Sequence, residues 1–77
     1  MRTGAIEKSF GLVVRRLREN KGFSQEAFAA LAGIDRSYQG RIERGEVSIT
    51  LRMIEVLSKT FGLKATQLFD FLKKSGL

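Results

Sequence analysis

The chain has 77 residues, 43% of them apolar and 29% charged, with no cysteine, histidine or proline. This balance fits one globular domain spanning 1–77 and excludes a disulfide framework, a thiolate or imidazole metal site, and a second domain. A formal net charge of +6 and a pI near 10.3 favour a polyanionic partner, while the missing imidazole and thiol leave an enzyme without its commonest base and nucleophile.

Apolar residues recur at helical spacing along the whole chain, so an all-α fold is expected. Ile6, Phe10, Val13, Val14 and Leu17 follow one another at three- and four-residue intervals, with Arg15, Arg16 and Glu19 on other faces. They predict a first helix over about 5–20, stopped by Gly22. Ser24 is a good N-cap for a second helix, about 25–32, which holds Glu26 in its first turn, carries Phe28, Leu31 and Ala32, and ends at Gly33. Asp35 then caps a third, about 36–44, with Gly45 where a left-handed residue is wanted. Thr50 caps a fourth with Leu51, Ile54, Leu57 and Phe61 on one side, closed by Gly62, and a fifth, about 65–74, carries Leu68, Phe69 and Leu72. The expected core is Phe10, Phe28, Leu31, Ile42, Ile54 and Leu57. No apolar run approaches the roughly 20 residues of a membrane span, and the first residues lack the apolar stretch of a signal peptide. A cytoplasmic, nucleoid-associated protein is expected.

Two short helices joined through Gly33-Ile34-Asp35 describe a helix-turn-helix, about 25–44, in which glycine makes the turn. The second helix of such a unit enters the DNA major groove with its first residues against the base edges. It should therefore be poor in apolar residues and rich in long donors, as Arg36, Ser37, Arg41 and Arg44 make it. Charge is distributed to match: +4 over residues 1–24, −1 over 25–46 and +3 over 47–77. The outer thirds supply attraction to phosphate, and the near-neutral middle holds the residues that choose a sequence.

The segment SQEAFAALAGIDRSYQGRIERG at 24–45 resembles the helix-turn-helix of the lambda repressor/Cro-like superfamily, also called the XRE family. Gln opens the second helix, Ala stands in its middle, Gly makes the turn, E-R-G closes the third helix, and the five-helix layout matches over roughly 5–72. Within that family, the short length and the D-R-S-Y opening of helix 3 are most similar to the controller proteins of restriction–modification systems. The resemblance implies that Arg36, Ser37 and Arg41 face base edges, that Ser24 and Gln25 hold a phosphate, and that Arg18 and Glu43 form a structural ion pair between helices 1 and 3. The chemistry agrees: an arginine fork matches guanine O6 and N7, worth roughly 1–3 kcal/mol of discrimination per bidentate contact. A helix N-terminus likewise offers free N–H groups to a phosphate. Tyr38 is a further candidate for phosphate, sugar or a thymine methyl, and Arg44 and Arg52 for backbone positioning.

One departure from the family pattern stands out. Gln39 occupies a position normally filled by an aliphatic residue packing helix 3 on helix 2, and Gly40 follows it. Either Gln39 reaches a polar partner or solvent, or helix 3 is shifted; a strained Gln39 would make Gln39→Ile stabilising. A short helix reads too few base pairs to specify one site, so a homodimer on two half-sites about one helical turn, roughly 34 Å, apart is expected. On the fifth helix Leu68, Phe69 and Leu72 can serve the core while Phe71 falls on a different face, so Phe71, with Leu63, Leu68 and Leu77 in a dimerisation region of about 62–77, is the expected interface. The overall expectation is a sequence-specific regulator that binds double-stranded DNA without a cofactor and acts by occupancy, blocking RNA polymerase or contacting it from an adjacent site. An antitoxin or other protein-interaction module on the same fold is the alternative.

Overall fold

A computed structural model describes residues 4–74, which form five α-helices and no strand: α1 Ala5–Asn20, α2 Gln25–Ala32, α3 Arg36–Glu43, α4 Leu51–Thr60 and α5 Ala65–Lys74. The expected caps explain most of these boundaries. The Ser24 hydroxyl accepts from the Ala27 N–H at 3.0 Å and that of Thr50 from Met53 at 3.1 Å, each satisfying an otherwise unpaired N–H of the first turn. Asp35 stands at the N-cap of α3, but its side chain makes no capping hydrogen bond, contrary to expectation. Gly33, at φ 73°, ends α2 in the left-handed conformation and turns the chain directly into α3.

The core is assembled from every helix: Phe10, Val13 and Val14 of α1, Phe28 of α2, Ile42 of α3, Leu57 of α4 with Phe61 after it, and Leu68 and Leu72 of α5. The Phe28 and Phe61 rings stack at 4.5 Å between centroids, tying the helix-turn-helix to the C-terminal half. Ile54 packs on this core half-buried.

Leu31, expected inside, is 62% exposed. At about 100° per residue, Ala32 and Ala29 turn from Phe28 toward the core and Leu31 turns the other way, so an eight-residue helix has already filled its inner arc without it. The same geometry exchanges two phenylalanines on α5. Phe69, expected in the core, is exposed, whereas Phe71, expected on the outside, is half-buried against the core with Lys74 Nζ 5.7 Å from its ring centroid. Ile6 and Leu51 stand in the first turns of their helices beyond the edge of the core and are also exposed.

A close approach of α1 to α3 fixes the orientation of the recognition helix, and Gly11 makes it possible. A Cβ at Gly11 would lie 2.5 Å from the Glu43 carbonyl oxygen and closer still to that of Ile42. Gly45, at φ 72°, similarly lets the chain leave α3 against the Lys8 backbone. Sequence reading treats the glycines as helix punctuation; Gly11 is a contact surface.

Candidate nucleic-acid interface

Behind the recognition helix lies a buried charge cluster. Arg18 is 8% exposed and Glu43 6%. The guanidinium grips the carboxylate with two hydrogen bonds, Nε to Oε2 at 2.7 Å and Nη2 to Oε1 at 2.9 Å, and Nη1 donates to the Phe23 carbonyl at 2.7 Å. This is the ion pair between α1 and α3 implied by the resemblance, in the fork geometry that favours arginine. Two further donors complete the carboxylate: Gln25 Nε2 at 3.0 Å from Oε1 and Gln39 Nε2 at 2.7 Å from Oε2. Burial by itself pushes the Glu43 carboxyl up and is the largest single influence. The hydrogen bonds from Arg18, Gln25 and Gln39 outweigh it together and hold the group below the usual carboxylate range.

Gln39 is therefore fully buried but has a polar partner, and α3 runs as an uninterrupted helix through it. Its Oε1 has no hydrogen-bond partner. An amide bond to a charged group contributes about 1.5–3 kcal/mol and an orphaned buried acceptor costs about 1–3 kcal/mol. The two nearly cancel, so Gln39→Ile should change the melting temperature little in either direction.

The outward face of α3 carries the expected base-reading residues together. Arg36, Ser37, Gly40, Arg41 and Arg44 line one open concavity with Gln25 of α2, and Ser37, Tyr38 and Arg41 line a second with the turn residues Gly33, Ile34 and Asp35. Arg36, Ser37 and Arg41 are exposed, and their spacing of one, four and five residues puts them on one side of the helix. Tyr38 is half-buried, packed against the core, and also lines the second concavity. Ser24 is exposed while capping α2, so one helix end serves both the cap and a candidate anion contact. Arg44 is exposed and held by Glu46 at 2.9 and 3.2 Å. Arg52 is exposed in the first turn of α4 and lines neither concavity, so it stands apart from the other backbone candidates.

The geometry is that of a helix-turn-helix presenting a cationic recognition helix, and a helix-turn-helix family model matches residues 14–68. The chain belongs to that family, in its XRE-like branch. It is 36% identical over 70 residues to control protein C.MunI of a Mycoplasma species, covering 90% of this chain and 95% of that protein. Among solved structures it resembles the restriction–modification controller protein C.AhdI from Aeromonas hydrophila, with TM-score 0.76, 42% identity, and 80% and 94% of the two chains covered. It also resembles controller protein C.Esp1396I, solved as a tetramer on its natural 35 base-pair operator, with TM-score 0.85, 27% identity, and 92% and 93% covered.

The expected dimer residues fare differently. Leu68 is fully buried within the single chain and has no surface to offer a partner, which corrects its assignment. Leu63 is half-buried, and Leu77 lies outside the described residues. Exposed apolar surface gathers instead around Phe69: with Leu51, Ile54 and Leu63 it lines one groove, and with Ile6, Phe10 and Ile49 it lines another.

Proposed function

We propose that this protein is a transcription regulator that binds double-stranded DNA in a sequence-specific manner as a homodimer, of the kind that controls a restriction–modification operon. The observation that carries this reading is the single outward face of α3, where Arg36, Ser37 and Arg41 stand exposed while the opposite face is locked to α1 through Glu43. A recognition helix held rigidly at its back can commit its free donors to base edges without first paying to order itself. Gln25, Ser24 and Arg44 flank that face as phosphate contacts. The kinship with controller proteins, one of them solved on its operator, supports the same assignment.

The test is a binding titration against duplexes selected by the wild-type protein from a random library. Arg36→Ala and Arg41→Ala should each lower affinity about 5- to 150-fold, corresponding to roughly 1–3 kcal/mol, and relax preference at one base pair per half-site. A weakening that is uniform across sequences, with only a shallower salt slope, would reduce these arginines to bulk attraction and overturn direct readout.

The dimer is assigned to the apolar face around Phe69, with Leu51, 81% exposed, at its rim and Ile54 and Leu63 within it. Burying that face on a second copy would remove apolar surface from water, and a dimer of this class reads two half-sites about one turn of DNA apart. Leu51→Asp, at an exposed position that the fold does not need, should shift sedimentation from dimer to monomer. A shift produced by Phe71→Ala but not by Leu51→Asp would return the interface to the face around Phe71, Val13 and Leu17. Occupancy of the operator regulates by blocking RNA polymerase or by contacting it from the next site.

A further inference from the structure

Two glycines stand inside helices with ordinary helical backbone, where alanine would be favoured. Gly11 is required by the approach of α1 to α3. Nothing of that kind holds Gly40. A Cβ there would meet only the tip of the flexible Arg44 side chain, Nη1 at 2.9 Å, and Gln25 Oε1 at an ordinary 3.7 Å. The fold thus carries a helix-weakening residue that its own packing does not demand, at the centre of the recognition face. Local sequence choices that oppose the fold are expected where function needs them.

The missing side chain leaves a notch. Gly40 forms its floor, and Gln25, Arg36, Ser37, Arg41 and Arg44 surround it, enclosing about 290 Å³ of open space. The lining brings three guanidinium groups, the Ser37 hydroxyl and the Gln25 amide, and no carboxylate; Glu46, which binds Arg44 from outside the notch, is the acidic group paired with it. Gln25 donates to Glu43 through Nε2 and turns its Oε1 toward the floor, so the donors that face the notch are the three guanidinium groups and the Ser37 hydroxyl. A surround of donors selects an anion over a thymine methyl or another apolar base edge, and the anion of a DNA duplex is its phosphate.

We propose that Gly40 is a specificity- and affinity-determining gap: it lets one phosphate of the DNA backbone seat against the floor of α3 among Arg36, Ser37 and Arg44, which fixes the depth and register at which Arg36 and Arg41 meet the bases. The proposal rests on the DNA-binding reading above. It makes Gly40→Ala a substitution with opposed effects. The added methyl fills the floor, pushes Arg44 aside and holds the phosphate off, while the helix itself gains.

The experiment compares the wild-type chain with Gly40→Ala by thermal melting and by titration of a duplex that the wild type selects from a random library. The variant should melt about 4–8 °C higher. It should bind the duplex about tenfold more weakly, with a salt slope shallower by about one. A methylphosphonate scan of the same duplex should then find one position per half-site where neutralising the phosphate weakens the wild type and leaves Gly40→Ala unchanged. Equal affinity of the two proteins overturns the proposal, as does a lower melting temperature of the variant, which would make Gly40 a requirement of the fold. Identical scan profiles would assign the notch to a base edge and overturn it equally. Recovery of no duplex by the wild type would overturn the DNA-binding reading itself, and this inference with it.

Discussion

Glu43→Ala should cost about 3–5 kcal/mol of folding stability, the penalty for removing one partner of a buried ion pair and stranding the other. A chain of 77 residues has on the order of 4–12 kcal/mol in total, so the variant should melt at far lower denaturant concentration or be unfolded outright. The size of the effect follows from the number of groups abandoned at once. Arg18 would keep a buried charge with only the Phe23 carbonyl to satisfy it, and the Gln39 amide would lose its one hydrogen bond in a site with no access to water. Removing the whole cluster is predicted to be gentler than removing part of it. Arg18→Met, Gln39→Ile and Glu43→Leu combined should recover most of the loss, because apolar side chains of similar volume need no partners. Urea titration of the single and combined variants measures this directly, and a triple variant no more stable than Glu43→Ala would contradict it.

The same carboxylate sets a pH dependence whose sign is fixed. Glu43 is held below its ordinary value of 4.5, so the stability it contributes is fully present above that value and disappears as pH falls through the lower folded value. Glu43→Gln should accordingly lack this share of the acid-induced loss, seen as a shallower fall in melting temperature below about pH 4.5.

The fold was legible in the sequence to a degree that reflects what punctuates it. Caps and glycines act locally, within one turn of chain, so Ser24, Gly33 and Thr50 could be placed from composition alone, and the helices they bound match closely. Burial is not local in that sense. Leu31 and Phe69 carry the right chemistry for a core, and which arc of a short helix turns inward depends on partners that sequence spacing does not name. The exchange of Phe69 and Phe71 is the clearest case: a rotation of α5 by part of a turn decides which ring is covered, and with it where a second chain could dock. The Arg18–Glu43 pair was readable only through the family resemblance, since 25 residues separate the two and no periodicity links them. Gln39 was visible as an anomaly, and its resolution needed a carboxylate with one lone pair still open. The role of Gly11 had no signal of its own. Its neighbours Phe10, Val13 and Val14 mark the buried face of α1, and a glycine on that face is the one hint that another backbone lies against it.

Gly11→Ala should therefore lower stability by about 3 kcal/mol, or roughly 12–24 °C in melting temperature, although alanine is the better helix former by about 1 kcal/mol. The new Cβ would stand 2.5 Å from the Glu43 carbonyl oxygen and 2.8 Å from its carbon, and neither can rotate away because both belong to the last turn of α3. The helices have to separate instead. Separation pulls at Ile42 in the core and at the Arg18–Glu43 bonds, whose 2.7 and 2.9 Å lengths leave little slack. It also tilts the recognition face, so weaker DNA binding should accompany the loss of stability. Here the two helix-interior glycines separate cleanly. The same Gly→Ala change at Gly40 meets a movable guanidinium and should raise the melting temperature, whereas at Gly11 it meets backbone and should lower it. Melting curves of the two variants side by side test the distinction, and a stabilised Gly11→Ala would mean that α1 and α3 do not approach as closely as their contact requires.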